Sequence, residues 1–176
     1  SYNQALLGSD EFQKAQVNQW IEFAHNELNR YPKTLLYPLF GFAEFNKEGA
    51  DAAMKELKDW VKVLNNHLKG KDFVAGNSYT LADLELFLVL RPYFQLVFPE
   101  EVRKNVFGNV AAWFVKLAEN PFMLESYGRT LLCKVPQKAP KVEIKKEAAK
   151  KKEEPKKKEE AKKAEKPGVD DEEKSN

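Results

Sequence analysis

The chain has 176 residues and a formal net charge of +2, a figure that averages two unlike parts. Residues 1–133 carry 14 basic and 16 acidic side chains and all 21 aromatics, whereas residues 134–176 carry 15 Lys, 11 acids and no aromatic; the second part cannot offset roughly 1–2 kcal/mol of backbone entropy per ordered residue and is expected to be a disordered charged tail. With no apolar run of about 18 residues and a single cysteine, Cys133, the composition excludes a membrane-spanning helix, an intrachain disulfide framework and a cysteine-based zinc cluster.

A first helix is predicted over about residues 10–29, opened by Ser9 as N-cap, with Asp10 and Glu11 in the turn where the helix dipole favours negative charge. Its apolar face is Phe12, Trp20, Phe23, Ala24 and Leu28. Residues 30–41 contain Pro32 and Pro38, which disfavour a continuous helix, so this stretch is expected to be a non-helical connection. The strongest periodicity follows over residues 49–69. There Ala50, Ala53, Leu57, Val61, Leu64 and Leu68 recur at spacings of three and four, and Gly70 supplies the stop.

A third helix begins near Thr80 and is apolar on almost every side, through Leu81, Leu84, Phe87, Leu88 and Leu90, until Arg91-Pro92 is expected to kink or break it. Such a helix belongs at the centre of a helical domain. A fourth is predicted over about residues 109–119, with Val110, Trp113, Phe114 and Leu117 on one face and Asn120-Pro121 as its end. From Pro136 onward the sequence is Lys/Glu/Ala-rich, with Pro140, Pro155 and Pro167. Its Glu–Lys pairs at i,i+4 favour only transient helix in halves of about a dozen residues. The predicted fold class is all-α, with a domain over residues 1–133 and a low-complexity linker over residues 134–176.

The sharpest local signal is Thr80-Leu81-Ala82-Asp83. The Thr80 hydroxyl can accept from the Asp83 N–H while the Asp83 carboxylate reaches back to the Thr80 N–H, a capping box that satisfies two donors otherwise orphaned at a helix start. Tyr79 and Leu84 occupy the positions of a hydrophobic staple across that cap. The pattern gives Asp83 a structural role, and no catalytic residue and no metal ligand set is assigned. His25 and His67 stand 42 positions apart and form no metal or triad signature. Cys133 beside Lys134 is a candidate for a moderately reactive thiol, without a redox role. The start Ser1-Tyr2-Asn3-Gln4 has no basic-then-apolar leader, and the lack of an initiator Met hints at a piece of a longer protein. With one cysteine, a reducing, cytoplasmic setting is expected.

The stretch from Leu68 to Asp83, with its glycine followed by Thr-Leu-Ala-Asp, resembles the signature of the C-terminal helical domain of glutathione transferases, over roughly residues 4–132. Three features narrow the resemblance to the gamma-subunit family of translation elongation factor 1. These are Tyr37-Pro38-Leu39-Phe40-Gly41 followed by Asn46-Lys47, the element Leu132-Cys133-Lys134, and the Lys/Glu/Ala/Pro linker after Pro136. The resemblance implies a glutathione-transferase-like helical bundle and no cofactor. The family's N-terminal thioredoxin-like domain and separate C-terminal domain have no counterpart in the sequence, so no glutathione-activating residue is carried over.

Three functional readings follow. The family resemblance implies a non-catalytic scaffold that holds the nucleotide-exchange subunit and, through it, the GTPase that delivers aminoacyl-tRNA. Tyr37, Phe40, Phe42 and Phe45, clustered in one stretch, are the candidate partner interface, or else anchor that loop and pack on the absent thioredoxin-like domain. The alternative is a glutathione transferase lacking its first domain, whose co-substrate surface would lie around Trp20, Phe23 and Glu27. Weak RNA contact by the Lys-rich tail is a third reading, disfavoured by the interrupting Glu residues and the absence of a stacking aromatic. Self-association stays open.

Overall fold

The computed structural model describes residues 6–140, and the tail assigned above lies outside the described residues beyond that point. Among the described residues the fold is helical, with no strand. Six α-helices form it: α1 Glu11–Phe23, α2 Lys47–His67, α3 Leu81–Leu96, α4 Glu100–Asn105, α5 Gly108–Ala118 and α6 Pro121–Tyr127.

The first helix is capped by Asp10 rather than Ser9. Asp10 Oδ1 accepts from the Gln13 N–H at 2.9 Å, and Ser9 Oγ supports that carboxylate at 3.1 Å. A carboxylate at this end also gains from the helix dipole, which a hydroxyl does not, and its pKa is held below the usual range, first by the Gln13 N–H and then by Ser9. Gly8 leads in at φ +109°, where an added Cβ would come within 2.7 Å of the Lys14 backbone nitrogen. The apolar face expected beyond α1 continues as a π-turn, Ala24–Leu28, that buries Ala24 and Leu28.

Residues 30–41 are not the non-helical connection their prolines suggested. They form a π-turn, Pro32–Leu36, and a 3₁₀ turn, Tyr37–Phe40, ended by Gly41 at φ +74°. Each proline stands in the first turn of its segment, where a missing N–H costs nothing. Pro92 likewise lies inside α3 without ending it. The helix remains assigned to Leu96 because Leu90, Tyr93 and Phe94 on either side of the proline are fully buried, and their packing offsets one lost backbone bond.

Helix α3 is the axis of the domain. It packs on α1 and the π-turn after it, while α2 packs on α5. Phe114 of α5 stacks between Phe87 and Phe94 of α3, with ring centroids at 4.5 and 4.3 Å. The start of α5 is capped from another helix: Asn65 Oδ1 accepts from the N–H groups of Asn109 (2.9 Å) and Val110 (3.2 Å).

The chain then returns along the end of α3 as a strap over residues 127–137. The Cys133 N–H donates to Phe94 O and the Gln137 N–H to Leu96 O, both at 2.8 Å, satisfying carbonyls that the helix end leaves unpaired. Arg103 reaches up from α4 and donates through Nη1 to the carbonyls of Phe98 and Cys133. The polypeptide is thus tied to the helical body four residues past position 133, where composition placed the domain edge.

Candidate functional site

The first turn of α3 contains the most heavily hydrogen-bonded side chain of the domain. Asp83 is fully buried and accepts four hydrogen bonds. Oδ2 takes the Thr80 N–H at 2.9 Å and the Thr80 hydroxyl at 3.0 Å; Oδ1 takes the Val74 N–H and Trp113 Nε1–H, each at 2.9 Å. The reciprocal arrangement of a capping box is in place. The Thr80 hydroxyl nevertheless gives its proton to the carboxylate, and the Asp83 N–H points to the Thr80 carbonyl at 3.1 Å.

Burial pushes the Asp83 carboxyl above the usual range, against the opposing donors from Val74, Trp113 and Thr80. With all its lone pairs engaged and no solvent path, this carboxylate joins the 70–80 loop, α3 and α5. It is not placed to exchange a proton with a substrate. Tyr79 and Leu84 are half-buried against the core, Tyr79 with its ring 6.5 Å from that of Phe73.

The aromatic segment divides in two. Phe42 and Phe40 are 79% and 55% exposed and stack on each other at 6.0 Å, with Tyr37 nearby in sequence at 47%. Phe45, half-exposed, instead lines an open groove of about 640 Å³ with Leu39, Met54 and Val102. Lys47 and Asp51 stand at its rim and pair with each other at 2.5 Å. Of the four aromatics that sequence placed together, two form a stacked pair in solvent, Phe45 walls a groove, and Tyr37, half-exposed, belongs to neither.

Other candidates are absorbed by structure. Trp20 is 8% exposed and lies in the core between Phe23 (5.1 Å) and His67 (4.3 Å), so of the surface named in the transferase reading only Phe23 and Glu27 are partly exposed. His25 meets Glu85 at 3.4 Å, and His67 Nε2 stands 2.8 Å from the Val74 carbonyl. Cys133 is buried, and burial pushes its thiol pKa up against the nearby Arg103 charge, which removes the reactive thiolate that its neighbour Lys134 suggested. Among the described residues no group of three or more His, Cys, Asp or Glu could hold a metal ion, and no helix is long and apolar enough to cross a membrane. The groove had no local signal, since the turns over residues 32–40, α2, the start of α4 and residues 136–139 are brought together only by folding.

Residues 29–121 match the family model for the C-terminal domain of glutathione S-transferases. An elongation factor 1-gamma from Artemia salina is 31% identical over 146 residues, which is 83% of this chain and 33% of that relative. A valine–tRNA ligase from Takifugu rubripes is 34% identical over 122 residues, 69% of this chain and 10% of that enzyme. Among solved structures, the glutathione-transferase-like domain of elongation factor 1-gamma from Saccharomyces cerevisiae superposes with a TM-score of 0.71 at 28% identity, covering 77% of this chain and 62% of that one. The chain thus spans about a third of the elongation factor subunits it resembles.

Proposed function

The chain belongs to the glutathione S-transferase C-terminal domain family, and from that premise we propose that it is the partner-holding module of an elongation factor 1 gamma-type subunit. In this reading it is a non-catalytic scaffold in the cytoplasm. It anchors the nucleotide-exchange subunit and, through it, the GTPase that delivers aminoacyl-tRNA. Residues 1–133 act as the helical domain and residues 134–176 as its linker.

The observation that carries the reading is the likeness, over most of the described residues, to the glutathione-transferase-like domain of an elongation factor 1-gamma. The chemistry of the fold is consistent with it. Among the described residues the one fully buried carboxylate, Asp83, is saturated by structural donors, while Phe40 and Phe42 are left in solvent, where aromatic anchors of a protein interface are found.

The test is co-purification of the chain with the exchange subunit, comparing the natural sequence with Phe40→Ser combined with Phe42→Ser. Loss of binding by a variant with unchanged circular dichroism assigns the interface. Retained binding removes these residues from it.

The family model itself supports a second reading, a glutathione transferase whose glutathione-binding domain lies elsewhere in the whole protein. Glutathione-dependent conjugation by the full-length protein would favour it over the scaffold.

A further inference from the structure

Sharing no lining residue with the aromatic segment, α4, α5 and the strap form an open pocket of about 770 Å³. Its apolar floor is formed by Ala111 and Val115 of α5 with Leu131 and Leu132 of the strap, Leu131 72% exposed, and Glu100 of α4 and Thr130 also line it. Its basic groups come from two elements, Arg103 and Lys104 from α4, Arg129 and Lys134 from the strap. Lys104 is already engaged by Glu100 at 2.5 Å. Among the described residues no carboxylate lies within ion-pair distance of Arg103, Arg129 or Lys134.

Arg103 is the informative member. It is 6% exposed, so its charge has lost most of its hydration, and burial draws its pKa down. Yet only Nη1 is used, for the carbonyls of Phe98 and Cys133. Nε and Nη2 have no hydrogen-bond partner among the described residues, and neither is sealed from solvent, since the one fully enclosed side-chain polar atom without a partner is Tyr93 Oη. A nearly buried guanidinium with free N–H groups at a pocket wall is completed by a carboxylate, whose two oxygens match that fork.

We propose that this pocket is a docking site for an acidic, leucine-bearing segment of a partner protein, its carboxylates on Arg103, Arg129 and Lys134 and an aliphatic side chain on the Ala111–Val115 floor. The inference stands independently of which partner engages Phe40 and Phe42. Nucleic acid fits less well: the pocket has no aromatic ring in its lining on which a base could stack.

The test is fluorescence anisotropy on the full chain, with a labelled peptide of about 12 residues composed of Glu with Leu at helical spacing as probe. The expected result is saturable binding, weakened about tenfold by Arg129→Glu combined with Lys134→Glu and about threefold by Leu131→Ser. All three positions are exposed, so these variants retain the fold, which circular dichroism checks. Arg103 is left intact because it also holds the strap. Absence of saturable binding, equal binding by the variants, or equal binding of an all-Glu peptide overturns the proposal. A uridine oligonucleotide that binds more tightly than the peptide and is lost in the same variants overturns it in favour of nucleic acid.

Discussion

The indole Nε1–H of Trp113 donates to Asp83 Oδ1 at 2.9 Å, so the middle of α5 is fastened to the first turn of α3 through one buried carboxylate. Removing the carboxylate strands four donors at once: two backbone N–H groups, a hydroxyl and the indole. Each unpaired buried donor costs about 1–3 kcal/mol, partly relieved by relaxation and water. Asp83→Ala should therefore lower unfolding stability by about 3 kcal/mol or more, read from urea unfolding at neutral pH. Trp113→Phe removes one donor and should cost about 1–2 kcal/mol, and a double-mutant cycle with Asp83→Asn should show coupling between the two sites.

The same carboxyl sets a pH dependence. Burial pushes its pKa above the ordinary 3.8 despite its four donors, so the folded chain holds that proton more tightly than the unfolded chain does. The stability it contributes is fully present below about pH 3.8 and is lost as pH rises through the folded value. Asp83→Asn cannot titrate. Between about pH 3.5 and pH 7 the difference in urea midpoint should therefore move in favour of the Asn variant as pH rises. A difference that moves the other way would mean that the four hydrogen bonds outweigh desolvation.

How much of this was legible in the sequence depends on the range of each interaction. The Thr80–Asp83 pair lies within one turn and could be read directly, as could the all-round apolar α3 that must sit at the centre. Two of the four donors to Asp83 could not, because Val74 and Trp113 arrive from nine and thirty residues away. The prolines misled for a different reason. A proline costs a helix interior a backbone bond and a ring clash but costs its first turn nothing, and only the structure shows that Pro32 and Pro38 each stand in a first turn. Of the candidate interface, the sequence indicated the aromatic cluster but not its division between solvent and groove, because the groove is lined by residues as distant as Val102 and Gln137.

Asn65 illustrates a cap with no local signature. Its carboxamide oxygen serves the N–H groups of Asn109 and Val110, more than forty residues away, and its carbonyl accepts from Asn109 Nδ2 at 3.0 Å. Asn65→Ala should cost about 1–2 kcal/mol, the usual range for losing an N-cap. Hydrogen exchange should speed up first at Asn109 and Val110 rather than along α2.

The stacked pair Phe40 and Phe42 makes the opposite prediction. Both rings are mostly in solvent, so Phe42→Ser should change stability by no more than about 0.5 kcal/mol. Thermal unfolding of the variant beside the natural chain checks this. A large loss would show that the ring is spent on the fold and is not available to a partner.

Cys133 reports on whether the strap stays closed. Its thiol is buried and raised in pKa, its N–H is bound to Phe94 O at 2.8 Å, and its carbonyl accepts from Arg103 Nη1 at 2.6 Å. Thiolate is the reacting species, so folding suppresses reaction both by excluding the reagent and by lowering the thiolate fraction. Labelling by an aromatic disulfide reagent near pH 8 should be at least about a hundredfold slower in the folded chain than in urea. Arg103→Gln should raise the folded rate, because the strap loses a charge-assisted tie while the core of α3 and α5 is untouched. If the variant labels no faster than the natural chain, the backbone bonds at Cys133 and Gln137 hold the strap without help from the guanidinium.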